Sequence, residues 1–101
     1  MSRPDKHGDV VGLVRSCVAS GNFTDTTHAE QRKGQRKITR LEIVSVLETG
    51  YHEKKKDEFK QEHNAWNYAI RGKTLDKREL RIAVSFDEAS KMLIITAIDL
   101  T

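Results

Sequence analysis

Apolar residues recur at helical spacing in the first half of the chain and at strand spacing in the second. Val10, Leu13, Val14, Cys17 and Val18 fall on one side of a 3.6-residue period. Asp9 precedes them as a possible N-cap, and Ser20-Gly21 ends the run, so a first helix is predicted. A later run carries Leu41, Val44 and Leu47, with Ile43 and Val46 alongside. Thr39 and Glu42 before it have the spacing of a capping box, and Gly50 supplies a stop. Between the two lies DTTHAEQRKGQR, Asp25 to Arg36. With Thr26 or Thr27 as cap it reads as a short helix from about Thr27 to about Arg36, weakened at Gly34 by roughly 1 kcal/mol relative to alanine.

From Tyr51 to Asn64 the chain is polar and lacks Gly and Pro, which fits an edge strand, a charged loop, or both in succession. The period then becomes two. Trp66, Tyr68 and Ile70 alternate with Asn67, Ala69 and Arg71, and after a turn from Gly72 to Lys77, Leu80, Ile82, Val84 and Phe86 alternate with Arg81, Ala83 and Ser85. Met92 to Ile98 is nearly all apolar, as a central strand covered on both faces would be. Short connections between these strands predict an antiparallel meander. The expected fold class is α+β: N-terminal helices packed on a three- to four-stranded antiparallel sheet, in a single domain over 9–101 after a flexible tail at 1–8.

Composition narrows the class. At 101 residues one domain can bury roughly two-thirds of its unfolded surface and needs no staples. No apolar run approaches the length that spans a bilayer, and MSRPDKHGD has no apolar leader core, so a cytoplasmic protein with no membrane partner is expected. The single Cys17 excludes an internal disulfide and falls on the apolar side of the first helix. The net charge of +3 is small, and its distribution matters more. Five bases and no acid lie between Gln31 and Leu41: Arg32, Lys33, Arg36, Lys37 and Arg40. An anionic partner would meet that cluster.

On a helix from Thr27, His28, Arg32 and either Gln35 or Arg36 share one face. A histidine among cations suits metal-free RNA cleavage, with a base taking the 2′-hydroxyl proton while cations stabilise charge on the phosphate. Arg32 and Arg36 are candidate phosphate ligands through forked hydrogen bonds. Arg71 and Lys73 adjoin a Gly-Lys-Thr turn able to meet an anion, and Thr96 interrupts an apolar strand, bonding within the sheet or lining a site. Trp66 and Tyr68 offer rings for base stacking or for the core. His52 and His63 lack metal-ligand spacing with His28, so neither a metal nor a cofactor is expected. A solvated basic face remains the plain alternative for these charges.

His28, Ala29, Arg32, Arg36, Ile38 and Thr39, then Gly50, then Tyr68, Arg71, Gly72, Lys73 and Thr74, and finally Ile95-Thr96 resemble a small bacterial family filed as a domain of unknown function. Its pattern is an H-A-x-x-R-x-x-x-R-x-I helix followed by an R-G-K-T strand meander. The chain departs from it in carrying Lys37 where a glycine commonly precedes the Ile, and Gly34 inside the helix. That family is similar in organisation to the barnase/EndoU/colicin/RelE-like ribonucleases, which include the RelE and MqsR toxins. The resemblance implies a RelE-like fold and metal-independent endoribonuclease activity, with His28, Arg32, Arg71 and Thr96 as catalytic residues and Arg36, Lys73 and Tyr68 binding RNA. It also implies a cognate antitoxin of zinc-finger or helix-turn-helix type and, in some relatives, a role for the ribosome. A non-catalytic RNA-binding module and a protein-interaction domain are the alternatives.

Overall fold

The computed structural model describes residues 3–26 and 38–101. The stretch predicted as a helix from Thr27 to Arg36, with His28, Arg32 and Arg36, lies outside the described residues.

Helix α1 spans Val10–Ser20 and α2 spans Arg40–Thr49. The caps form as their residue types require. The Asp9 carboxylate accepts from the Gly12 N–H, and Gly21 closes α1 in the left-handed region at φ 73°. At α2 the Thr39 hydroxyl accepts from the Glu42 N–H while the Glu42 carboxylate accepts from the Thr39 N–H, a reciprocal capping box. Val10, Val14 and Cys17 of α1, and Ile43, Val46 and Leu47 of α2, face the core. Leu41, counted in the apolar stripe, is instead 82% exposed, because it sits a third of a turn or more away from the face set by Ile43, Val46 and Leu47.

The strands are β1 Phe23–Asp25, β2 Tyr51–His52, β3 Glu58–Lys60, β4 Ala65–Lys73, β5 Glu79–Phe86 and β6 Met92–Asp99, with short 3₁₀ turns at Lys54–Lys56 and Gln61–His63. They form a six-stranded mixed sheet in the order β1-β6-β5-β4-β2, with β3 pairing β4 beside β2. The meander β4-β5-β6 is antiparallel as expected. The sheet is larger than expected, since β1 adds a parallel strand to β6. The polar stretch after Tyr51 holds both β2 and β3 along β4.

Both helices pack on one face, over Tyr68, Ile70, Leu80, Ile82, Val84, Phe86, Met92 and Ile94. Gly50 ends α2, but with an extended φ of −77° rather than a left-handed one. The reason for glycine is space: a Cβ there would lie 2.6 Å from the carbonyl oxygens of Arg71 and Val46. Gly72 opposes it, where a Cβ would sit 3.0 Å from the Gly50 Cα. Two glycines in contact thus let the end of α2 press directly on β4.

The N-terminal residues, expected as a flexible tail, are tied to the sheet from Arg3 onward. The Trp66 indole N–H donates to the Pro4 carbonyl, the His7 N–H donates to the Tyr68 hydroxyl, and Lys6 bonds Asp57 at 3.0 Å. The Arg3 guanidinium lies over the rings of Phe59 and Trp66.

Candidate functional site

The face of the sheet turned away from α1 and α2 is built by strand alternation and one irregularity. On β4 and β5, residues between the core positions point away from the helices: Asn67, Ala69, Arg71, then Arg81 and Ala83. On β6, Ala83 pairs with Thr96 but Val84 pairs with Ile94, so Ile95 is an extra, bulged residue. A bulge reverses which side chains face which way. Met92 and Ile94 enter the core before it and Ala97 after it, which turns Thr96 and Ile98 onto the open face.

Ala69, Ala83 and Thr96 then stand in register across three strands. Their small side chains leave a trough of about 270 Å³, walled by Lys56, Lys60, Asn67, Arg81, Ile95 and Ile98. Glu58 also lines it, 3.6 Å from Lys60. No helix among the described residues covers this face.

A charge network borders the trough. Arg71 and Arg81 are direct cross-strand partners, a placement that like charges oppose. Glu53 resolves the repulsion by bonding Arg71 at 3.0 Å and Arg81 at 2.7 Å, while Glu79 bonds Arg71 at 2.8 Å. The Arg81 guanidinium holds the Glu53 carboxyl below its ordinary range, and Arg71 does the same to Glu79.

A second network lies at the far end of the sheet. Arg78, almost fully buried, bonds Glu42 and Asp99 at 2.7 Å each. It drives the Asp99 carboxyl down to about 2. Thr74 bonds Asp76 and accepts from the Arg78 N–H, closing the β4–β5 turn. These contacts join α2, that turn and the end of β6, and they are structural.

Thr96 is among the residues that line the trough. Arg71 is on the same face but stands about 12 Å from Thr96 at the Cα level, two strands across and two residues along, and its guanidinium is taken up by two carboxylates. Arg81 occupies the place beside Thr96 instead. Lys73 is exposed at the end of β4, away from the trough lining. Tyr68, expected to bind RNA, is among the residues that line the trough, but it is 3% exposed and its ring packs against His7, His52 and Phe86 on the helix side. His28, Arg32 and Arg36 lie on the segment outside the described residues, which the chain enters at Thr26, whose N–H and hydroxyl both donate to the Ile94 carbonyl.

The Lys54 to Lys56 run reads from sequence as a solvated segment or one that tracks an RNA backbone, and Lys56 lines the trough, whereas Arg81, Lys60 and Asn67 carry no such signal in the sequence. Arg81 was accessible from parity alone, because the hairpin puts every β5 residue between core positions on the face of Arg71. Another missed group is on the other side: the Asp57 side chain is fully enclosed, bonding His52 Nε2 at 2.8 Å and accepting the Ala69 N–H at 3.0 Å. Cys17 is buried, with burial raising its thiol above the ordinary value, so it is an unreactive core residue.

The family model described as "Domain of unknown function (DUF4258)" matches residues 26–99. The chain belongs to this family. No curated protein and no solved structure matches it. The DUF4258 match takes in the trough, both charge networks and α2, and it leaves α1, the residues of the N-terminal strap and the whole of β1 outside. Among the described residues no cluster of His, Cys, Asp and Glu is arranged to hold a metal, and no helix is long and apolar enough to cross a membrane.

Proposed function

We propose that the open sheet face binds single-stranded RNA in the trough and that the protein is a metal-independent endoribonuclease, the toxin of a bacterial toxin–antitoxin pair. The observation that carries this reading is the trough itself: a small-residue floor with Thr96 at one side and Lys56 at the rim, where Lys60 and Arg81 also stand, paired with Glu58 and Glu53. Cations along a groove track a phosphate backbone. In the 3₁₀ turn Lys54–Lys56 no lysine has an ion-pair partner among the described residues, which leaves it available to an anion.

The chemistry assigned to the site needs a base, a cation and an acid. His28 takes the proton from a ribose 2′-hydroxyl, the 2′-oxygen attacks the adjacent phosphorus, and the bond to the 5′-oxygen breaks as that oxygen takes a proton from water, the acid of the step. The products are a 2′,3′-cyclic phosphate and a free 5′-hydroxyl. Arg32 and Arg81 supply positive charge where the phosphate becomes more negative. Supporting the choice of His28, Thr26, two residues before it in the chain, is bonded to the carbonyl of Ile94, one residue before Ile95 of the trough. The partner of such a toxin is an antitoxin that covers the same face.

Purified protein incubated with single-stranded RNA in EDTA should yield new 2′,3′-cyclic phosphate ends, and expression in bacteria should arrest growth. His28→Ala should abolish both. RNA left intact by the wild-type protein would defeat the enzyme assignment.

A non-catalytic RNA-binding module is the second reading, favoured by one observation: no histidine lines the trough among the described residues. Retention on RNA that falls steeply with salt, with no new ends, is its signature.

A further inference from the structure

The N-terminal strap, Arg3 to Gly8, lies across the β3–β4 ribbon on the side opposite the trough, because Phe59 and Trp66 are cross-strand partners on the face that Tyr68 shares. It has no large apolar side chain, yet it covers aromatic ones. Arg3 sits 5.1 Å from the Phe59 ring centre and 5.6 Å from that of Trp66, and Lys6 sits 4.5 Å from Trp66. The His7 ring meets Tyr68 and Phe86. At the base of this cleft Lys6 reaches the enclosed Asp57 carboxylate, whose other partners, His52 and the Ala69 N–H, belong to the domain itself.

Aromatic faces around a sunken carboxylate form a receptor for Lys and Arg side chains, since ring faces and carboxylate all attract a cation. Every receiving residue, from His52 to Phe86, falls within the matched family domain, whereas the strap falls outside it. The receptor and its occupant are therefore separate parts of the chain.

We infer that this cleft is a docking site for a Lys- and Arg-bearing linear segment of a partner protein, and that the strap is its intramolecular competitor. The strap spans only six residues, Arg3 to Gly8, and is held by cation–ring contacts, one ion pair and two hydrogen bonds. A partner segment with the same chemistry displaces it once the ratio of its concentration to its dissociation constant exceeds that ratio for the strap, whose effective concentration is in the millimolar range for a short tether. This docking is independent of RNA binding, which uses the other face.

Trp66 is the only tryptophan of the 101-residue sequence, so its emission reports the cleft in the intact 101-residue chain. In Arg3→Ala/Lys6→Ala the strap loses its cations and the emission shifts to the red. A synthetic peptide of Ser2 to Asp9, SRPDKHGD, which contains the strap, then binds the double variant about tenfold more tightly than the wild type, the gain from removing a tethered competitor. The same peptide with its Arg and Lys replaced by Ala gives no saturable change. Equal affinity for the two proteins, equal affinity of the two peptides, or unchanged Trp66 emission in the double variant would each overturn the proposal.

Discussion

On strand β5, Ile82 and Val84 are completely buried under the helices, while Arg81 and Ala83, their neighbours in the chain, face away from those helices and line an open trough. The covered face is held by shape and dispersion and tolerates little change of volume. The open face is held by charge balance: Arg71 and Arg81 are stable side by side because Glu53 lies between them. In this sheet the packed core and the open trough are separated by the two-residue period of the strands, so a substitution one position along moves from one face to the other.

The covered face should give the largest effects. Ile82→Ala should lower unfolding free energy by about 3 to 4 kcal/mol, read from the urea midpoint, with ligand binding at the trough unchanged under native conditions. Gly50→Ala comes next, at about 2 kcal/mol, because the added methyl meets backbone oxygens that cannot step aside. A Gly50→Ala protein as stable as the wild type would show that the contact of α2 with β4 is looser than described.

Much of the covered face was legible in the chain, and much of the open face was not. Asp9, Gly21, Thr39 and Glu42 act locally, so the two described helices and their caps follow from neighbouring residues. The strands β4 and β5 follow from alternation. The strand β1 does not, because three residues pair with β6 across most of the chain. Nor does the bulge at Ile95, since an apolar run such as Met92 to Ile98 carries no alternation to break; the orientation of Thr96 depends on it. Arg71 looked free because its partners Glu53 and Glu79 are brought to it by β2 and β5. The seating of the N-terminal strap rests on cation–ring contacts that a polar, aperiodic sequence does not announce.

Smaller effects belong to the charged face. Glu53→Gln should cost about 1 kcal/mol by leaving Arg71 and Arg81 opposed with weaker compensation. Acid should act through the same groups. Glu42, Glu53, Glu79 and Asp99 all have carboxyl pKa values below the ordinary 4.5 and 3.8. The unfolded chain therefore binds more protons than the folded one in that range, so this stabilisation is complete above about 4.5 and is lost as pH falls toward about 2, where Asp99 titrates. Melting temperature against pH should show that slope in the wild type and a shallower one in Glu53→Gln. A slope unchanged by that substitution would remove Glu53 from the account.

The smallest effect on stability should come with a large effect on binding. Ala83→Leu puts a bulky side chain on the trough floor at a solvent-facing position and should change unfolding free energy by about 0.5 kcal/mol or less, while abolishing binding of single-stranded RNA.

The central claim, that the open face is where RNA binds, is tested most directly by following backbone amide shifts of isotope-labelled protein as a short single-stranded RNA is added. Shifts concentrated at Lys56, Asn67, Ala83 and Thr96, absent in Ala83→Leu, are the predicted result. Shifts concentrated on α1 and α2, or none at saturating RNA, would contradict it.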